Sequence, residues 1–529
     1  MTREQPALPE ARRGSALLFA LALALVGAGV FFRLAGLLRA PLWLDEAYSA
    51  YAVSKGFDFI WNVVPRYDTH PPLYYSLLRS WSLAFGDSLA GLRALGIAGG
   101  LATLAVSFQA GRELGRSAGI GARSVGSVAA ALAAISPLMI DMSREARPYS
   151  LMILAYAIAL SSIIRLSCTM QESGTIARGA FVVYLIALGT LLWLHNLGPL
   201  FGAALFVALV AALSGSAPGK FDRTLLIGGH AIVALAYLPA LRILLDQAPT
   251  WVQSTWLTFS WQGIHWKLAA LWGAPGIIAA SAAGLLATLG AMTLIRNGQA
   301  RIAVALGLAA IVPPAASLLA SVTLAPVFLI RTLSPVGIPA ALIVAVGVVS
   351  QTSWRRWLAG AAAALLIAQL AIIDLGSRKR GPREDWYGAV RWLEQRYRPG
   401  DLVLAYPNEG ALPFERALRD LGVEMPTRPI PSAVPTFNQG GWNPTGSRGV
   451  VSLPPDRLSA IAGEPELARV STVWLLRLGP WDHDKGDVFL GELSRRRVSV
   501  GRWQSGPIDL VGLSRPDDPR VRATPPATR

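Results

Sequence analysis

Apolar runs dominate the first 375 positions of the chain. Ala16 to Phe32, Val128 to Ile140, Phe201 to Leu213, Gly276 to Ile295 and Ala359 to Ile373 are nearly free of charge. With their flanks, each approaches the roughly 20 residues that a helix needs to cross a bilayer. One such run is compatible with a buried core helix. Many in series, separated by short polar or basic stretches, predict a polytopic bundle. The expected spans are 15 to 37, 92 to 111, 124 to 141, 149 to 166, 179 to 195, 197 to 213, 224 to 245, 274 to 295, 302 to 321, 333 to 350 and 357 to 375, about eleven transmembrane helices.

Two long interruptions stand out. Arg39 to Leu92, rich in Trp, Tyr and charge, forms an outer loop whose segments Asp45 to Lys55 and Pro72 to Phe85 are amphipathic and too short or too polar to cross. They are expected to lie along the membrane surface. Asp246 to Trp266 carries Trp251, Trp256, Trp261 and Trp266, the composition of an aromatic interfacial belt. Beyond Asp374 the chain turns charged and Pro-rich, and no further span appears. Trp386 to Arg398 reads as an amphipathic helix, and Asp401 to Tyr406 and Ser471 to Leu478 read as strands, so a soluble α/β domain follows. The expected division is a cytoplasmic N-terminus (1–14), an all-α membrane bundle (15–375) with its outer loop (39–92), an extracytoplasmic soluble α/β domain (376–514) and a Pro-rich disordered tail (515–529). No internal repeat points to a solenoid.

Composition agrees with a lipid environment: of 529 residues, 53% are hydrophobic and 15% charged, and the mean hydropathy is +0.45. A net charge of +16 in a soluble protein would make nucleic acid a candidate partner. Here the basic residues sit between apolar segments, with no basic stripe interleaved by aromatics, so the charge is topological. Placing Arg and Lys inside puts Arg112–Arg123, Arg165–Arg178, Lys220–Arg223, Arg296–Arg301 and Arg355–Arg356 in the cytoplasm. Arg3, Arg12 and Arg13 ahead of the first run read as an uncleaved first span with its N-terminus inside, and an odd helix number leaves the C-terminus outside. Cys168 is the only cysteine, so a disulfide or a cysteine metal cluster within the chain is excluded. It reads as a buried, inert thiol.

This topology isolates ionisable groups at outer helix ends that no positive-inside bias explains. They fall in Leu42-Trp43-Leu44-Asp45-Glu46-Ala47-Tyr48, in Asp68-Thr69-His70-Pro71-Pro72-Leu73-Tyr74-Tyr75, in Ser143-Arg144-Glu145-Ala146-Arg147-Pro148-Tyr149-Ser150, and around Arg331. Polar groups at a membrane boundary are costly unless paired or functional. The bland alternatives are a solvated loop for Asp45 and Glu46, and an ion-pair or headgroup anchor for Arg144, Glu145 and Arg147. His70 reads as a helix cap, His195 as a hydrogen-bonded interfacial histidine, and Tyr74 and Tyr75 as packing.

Taken in order, Leu44-Asp45-Glu46-Ala47, His70-Pro71-Pro72-Leu73-Tyr74-Tyr75, Glu145-Ala146-Arg147-Pro148-Tyr149 and the Arg331 segment resemble the GT-C membrane glycosyltransferases. The likeness is to glycosyltransferase family 39, of the protein O-mannosyltransferase and aminoarabinose transferase type. It runs from the start of the chain to about Asp385-Trp386. Departures are Arg331-Thr332, where the family often has Arg followed by Tyr, and His70, where some relatives have Lys; both bear on headgroup recognition. The resemblance implies a donor of the polyprenyl-phosphate sugar type entering from the outer leaflet, and a multi-pass protein of a bacterial plasma membrane.

Sugar transfer asks for matching chemistry. An acceptor hydroxyl or amine loses a proton as it attacks the anomeric carbon, a task for a carboxylate base; Asp45 is the choice. Charge developing on the leaving polyprenyl phosphate is met best by guanidinium groups. Arg147 and Arg331 are the leading candidates, followed by Arg144 and His70. Glu145, Tyr149, Tyr74, Tyr75 and His195 are candidate substrate contacts. Glu46 either assists the base or binds a divalent metal ion, two acids without a clear third ligand leaving the metal open. The sugar is not fixed by the sequence, nor is the choice among protein, lipid and polysaccharide as acceptor. The competing functional reading is a lipid-linked sugar flippase or transporter, which often shows a repeat and midplane helix breaks. A membrane anchor for a functional C-terminal domain would leave the outer motifs unexplained.

Overall fold

The computed structural model describes residues 9–68, 70–216, 219–254, 257–377, 379, 381–436 and 453–523. Thr69 of the second motif and Trp256 lie outside these residues, as do the side chains of Arg12, Arg13 and Trp251. The helices in order are α1 (Pro9–Leu34), α2 (Leu44–Ser54), α3 (Phe57–Asn62), α4 (Pro72–Phe85), α5 (Leu89–Ser117), α6 (Ala122–Ala134), α7 (Pro137–Arg144), α8 (Tyr149–Ser173), α9 (Arg178–Leu194), α10 (Gly198–Leu213), α11 (Lys220–Ser254), α12 (Ile264–Leu271), α13 (Ile277–Arg296), α14 (Ala300–Thr323), α15 (Gly337–Val349) and α16 (Ser353–Ser377). Two compact units result: one gathers 1–35, 93–246 and 255–379, the other 36–92, 247–254 and 380–529. The loop 39–92, expected to lie outside and to belong with the membrane helices, thus groups with the C-terminal residues.

The first unit is the membrane bundle. Among the described residues, seven of its helices are long and apolar enough to cross a bilayer, one bent pair (α6 with α7) makes an eighth, and α9, α10 and the Ser334–Val349 stretch are shorter apolar helices. Each of the eleven expected segments is therefore occupied by an apolar helix or the bent pair. In lipid the backbone must satisfy its own polar groups, which the helix does. Helix packing there relies on close backbone approach and a few hydrogen bonds rather than hydrophobic exclusion. A Cβ on Gly290 of α13 would sit 2.1 Å from the Ile343 carbonyl oxygen of α15, and one on Gly347 of α15 would sit 1.9 Å from that of Leu286. The two backbones touch, and only glycine permits it. Tyr156 of α8 donates to the Ala309 carbonyl of α14 at 2.7 Å, and Ser167 donates to Ala212 of α10 at 2.9 Å. Cys168 is buried on α8 as expected.

The α6–α7 pair bends by 61°. Pro137 opens α7 and has no N–H to give to the carbonyl four residues back, so the helix breaks. Arg33, 1% exposed on α1, takes up the freed acceptors. It donates to Ala134 at 2.6 Å and to Ala133 at 3.2 Å. A cation at a helix C-terminus meets the partial negative charge of its end carbonyls, and Asp374 of α16 adds a carboxylate whose field acts on the same guanidinium. This polar knot holds the bend from which the third motif emerges.

The second unit holds a five-stranded sheet in order β2 (Thr427–Pro429), β1 (Leu402–Tyr406), β3 (Thr472–Leu478), β5 (Ile508–Ser514), β4 (Val498–Ser505). The first three strands are parallel, and β5 runs antiparallel to both β3 and β4. Alternate residues of β1 and β3 feed opposite layers. Val403, Ala405, Trp474 and Leu476 pack with α17 (Trp386–Glu394) and α18 (Ala411–Leu421). Leu404, Tyr406, Val473 and Leu475 pack with α19 (Pro455–Ala462) and the helix Val488–Ser494. Covered on both faces, β3 and β5 are buried along their whole length. Arg477 of β3 pairs in register with Asp509 of β5, and its guanidinium also reaches Asp484 at 2.8 Å. These acids raise its pKa against the opposing effect of burial. The α/β expectation is met.

One expectation fails: residues 515–523, placed in a disordered tail, are ordered as far as the helical turn Pro519–Ala523. Arg520 forms a two-pronged pair with Asp401 at 2.7 and 2.8 Å and also binds Asp518. Asp518 is held at about 2, chiefly by its hydrogen bond from Arg520. The proline content that reads as disorder is outweighed by these fixed charge pairs. Residues 524–529 lie outside the described residues.

Candidate active site

In the membrane bundle, the third motif leaves α7 at Glu145, whose backbone is extended, and re-enters a helix at Tyr149, the first residue of α8. Glycines on α5 let this turn approach. A Cβ on Gly96 would meet the Ser143 carbonyl oxygen at 2.7 Å and that of Glu145 at 2.9 Å. Ser150 then donates its hydroxyl to the Gly96 carbonyl at 2.6 Å, closing the turn onto α5. Arg147 is buried at 2% exposure, and such a charge is held in a bundle only where something answers it. Arg144 and Glu145 are half-buried. Arg144 donates to the Ala35 carbonyl at 3.2 Å, tying the turn to the residue that follows α1.

Tyr149 gathers two other candidates. The ring of His195, at the end of α9, lies 6.2 Å from the Tyr149 ring, and the Arg331 guanidinium lies 6.0 Å from it. Arg331 sits in the non-helical stretch ahead of the 3-10 turn Ser334–Val336, where Ser334 donates its hydroxyl to the Arg331 carbonyl at 2.9 Å. His195 Nδ1 accepts the Leu197 N–H at 3.0 Å, so the neutral ring carries its proton on Nε2. Three segments far apart in sequence thus bring Arg331, Tyr149 and His195 together. A guanidinium and a ring N–H beside a tyrosine form a set of donors suited to a phosphate.

In the other unit, Asp45 and Glu46 occupy the second and third positions of α2. They are 8% and 0% exposed, which removes the solvated-loop alternative. Carboxylates in a first turn meet the positive end of the helix dipole. The N-cap residue Trp43 offers no side-chain cap bond. The first N–H is met from 340 residues away, where Glu384 accepts from Leu44 N at 2.9 Å. Glu384 also accepts from Trp386 Nε1 at 2.7 Å. Burial and the neighbouring Asp45 push it up to about 7, burial being the larger cause.

The second motif closes on itself. His70 does not cap α4, which begins behind Pro71 without a side-chain cap bond. Instead its Nδ1 lies 3.5 Å from Asp68 Oδ2, and its ring meets Tyr75 edge-on. Tyr75 donates its hydroxyl to Asp68, and Tyr48 and Tyr67 share a hydrogen bond. Rings of Tyr74 and Tyr48 pack edge-on to Tyr75 at 5.5 and 6.0 Å. Tyr74 and Tyr75, 2% and 0% exposed, are therefore core residues of this loop. Among the described residues no three His, Cys, Asp or Glu side chains cluster for a metal ion.

Arg33 and Glu384 were not singled out by sequence reasoning, and Asp68 entered only as the first residue of the second motif, without a role. A charge near the end of the first apolar run was a signal for Arg33, and the spacing Gly96-x-x-x-Gly100 was one for the close approach of α5. Glu384 offered none beyond lying at the edge of the resemblance.

No protein-family model matches the chain, and no curated protein matches it. Solved structures do. ArnT from Cupriavidus metallidurans in the apo state superposes with a TM-score of 0.53 at 16% identity, over 95% of this chain and 98% of that one. The same protein bound to undecaprenyl phosphate gives 0.54 at 15% identity, over 94% and 97%. The Archaeoglobus fulgidus oligosaccharyltransferase, in complex with Zn and sulfate, gives 0.51 at 13%, over 94% of this chain and 73% of that one. The chain has the GT-C fold, a multi-pass helical bundle followed by a small sheet domain.

Proposed function

We propose that this chain is an integral-membrane glycosyltransferase that passes a sugar from a polyprenyl-phosphate donor to an acceptor on the extracytoplasmic side of a bacterial plasma membrane. The observation that carries the reading is the gathering of Arg331, Tyr149 and His195, with buried Arg147 in the same bundle, in a fold shared with a protein solved with undecaprenyl phosphate bound.

The acceptor oxygen or nitrogen attacks the anomeric carbon from the face opposite the phosphate. As that bond forms, the bond from the anomeric carbon to the phosphate oxygen breaks and its electron pair leaves with the polyprenyl phosphate. A single displacement inverts the anomeric configuration. Asp45 accepts the acceptor's proton, which is transferred only as attack proceeds, so its contribution falls on the transition state. Arg147 and Arg331 hold the leaving phosphate, whose charge rises as the bond breaks, with Arg144 and His70 in support. Glu46, buried one residue on, assists the base, and Glu145, Tyr149 and His195 face substrate. Protein, lipid or polysaccharide can supply the acceptor group.

Membrane vesicles containing the chain, loaded with radiolabelled undecaprenyl-phosphate sugars, test this directly. Label is expected to leave the lipid fraction and appear on an acceptor. Label that crosses the bilayer while remaining on its lipid would instead establish a flippase.

A further inference from the structure

The sheet domain reaches the acidic motif through one short segment. Arg383 stacks its guanidinium 4.0 Å from the Trp43 ring centroid, a contact that fixes the residue just before α2. Glu384 accepts the Leu44 N–H at the first position of that helix. Trp386 donates to the same carboxylate and is itself 0% exposed in the core beneath the sheet, against which Leu44 packs. Further along α2, the Tyr51 hydroxyl donates to the Val434 carbonyl at 2.7 Å. The first turn of α2, which carries Asp45 and Glu46, is therefore pinned by residues from the far end of the sequence.

We propose that Glu384 is a positioning residue for Asp45: by accepting the Leu44 N–H it fixes the turn of α2 from which the Asp45 carboxylate projects, and so makes the C-terminal domain a working part of the transferase. The inference rests on the reading of Asp45 as the general base. A helix start whose N-cap residue supplies no side-chain acceptor is held by backbone geometry alone. Above about pH 7, where Glu384 is ionised, a carboxylate brought in from elsewhere restores the bond in its stronger, charged form. The charges acting on Glu384 are Asp45, of like sign, and Arg383, of opposite sign.

The test uses the full-length chain in proteoliposomes, with undecaprenyl-phosphate-linked aminoarabinose, mannose and glucose as donors, comparing wild type, Glu384→Ala, Glu384→Gln and Asp45→Asn. Losing a charged hydrogen bond at this position is expected to lower kcat roughly ten- to hundredfold in Glu384→Ala while leaving donor KM within about twofold. Glu384→Gln, which keeps an acceptor oxygen, should recover most of the turnover. Wild-type kcat in Glu384→Ala beside an inactive Asp45→Asn overturns this proposal and leaves the base assignment standing. Full turnover in Asp45→Asn removes the base assignment and this proposal with it. Should Glu384→Ala fail to fold, Glu384→Asp, one methylene shorter and so drawn back from the Leu44 N–H, decides: a lowered kcat with donor KM unchanged is expected, and wild-type kcat overturns the proposal.

Discussion

Replacing Gly96 by alanine probes whether the close approach of α5 to the third motif sets the donor site. The added Cβ would fall 2.7 Å from the Ser143 oxygen and 2.9 Å from the Glu145 oxygen, where ordinary contact begins at 3.4 Å. Both obstacles are backbone, so the turn must retreat by about 0.5 to 0.7 Å. Overpacking of this kind costs roughly 1–3 kcal/mol, and the retreat also weakens the 2.6 Å bond from Ser150 to the Gly96 carbonyl. Because the same turn carries Arg144 and Arg147, undecaprenyl phosphate should bind about tenfold more weakly, equivalent to about 1.4 kcal/mol. Binding to the solubilised full-length chain, measured by native mass spectrometry, gives the comparison. Gly307→Ala in α14 is the control, since nothing lies within 4 Å of its added Cβ. If the two variants melt at the same temperature and bind the lipid phosphate equally, the turn is not positioned by this contact and the reasoning fails.

Asp45→Asn should lower turnover by roughly 10² to 10⁴-fold with donor affinity near normal, and Glu46→Gln should lose less; the reverse order moves the base to Glu46. Arg147→Ala or Arg331→Ala should weaken lipid-phosphate binding by about 1.5 to 3 kcal/mol each, and normal binding in both would make these arginines structural anchors. Glu384 is raised from 4.5 to about 7, so between those values the folded chain holds more protons than the unfolded one. Glu384's contribution to the stability of its unit should therefore be greatest below about pH 4.5 and fall by up to about 3 kcal/mol as pH rises through 7, a contribution that thermal unfolding should show missing in Glu384→Gln. A reporter active only in the cytoplasm, fused after Gly381, should be silent; strong activity there would put the C-terminal domain and the proposed site on the opposite face.

Glutamates, arginines and glycines of this chain divide sharply in how far the sequence discloses them. Asp45, Glu46, Arg147 and Arg331 were visible because each breaks an expectation: a charge at a helix end where the positive-inside bias does not call for one. What each touches was not visible. Burial of Asp45 and Glu46 follows from packing around α2, and the gathering of His195 and Arg331 on Tyr149 follows from the bundle alone. Tyr74 and Tyr75 belong to a packed ring cluster rather than an open contact surface because Asp68, His70 and Tyr48 close around them.

The sequence by itself determined the membrane helices and the nature of the C-terminal domain, since both rest on local rules. A span must be long, apolar and internally hydrogen-bonded, and strands covered on both faces read as continuous apolar runs. Tertiary structure alone decided that Arg33 would satisfy the carbonyls freed at the Pro137 break. It also decided that the loop 39–92 would group with the C-terminal residues, and that Glu384 would meet a helix start 340 residues earlier. Such contacts leave no periodicity and no neighbouring signal in the chain. They exist only because folding brings together groups whose polar atoms cannot be left unsatisfied once buried.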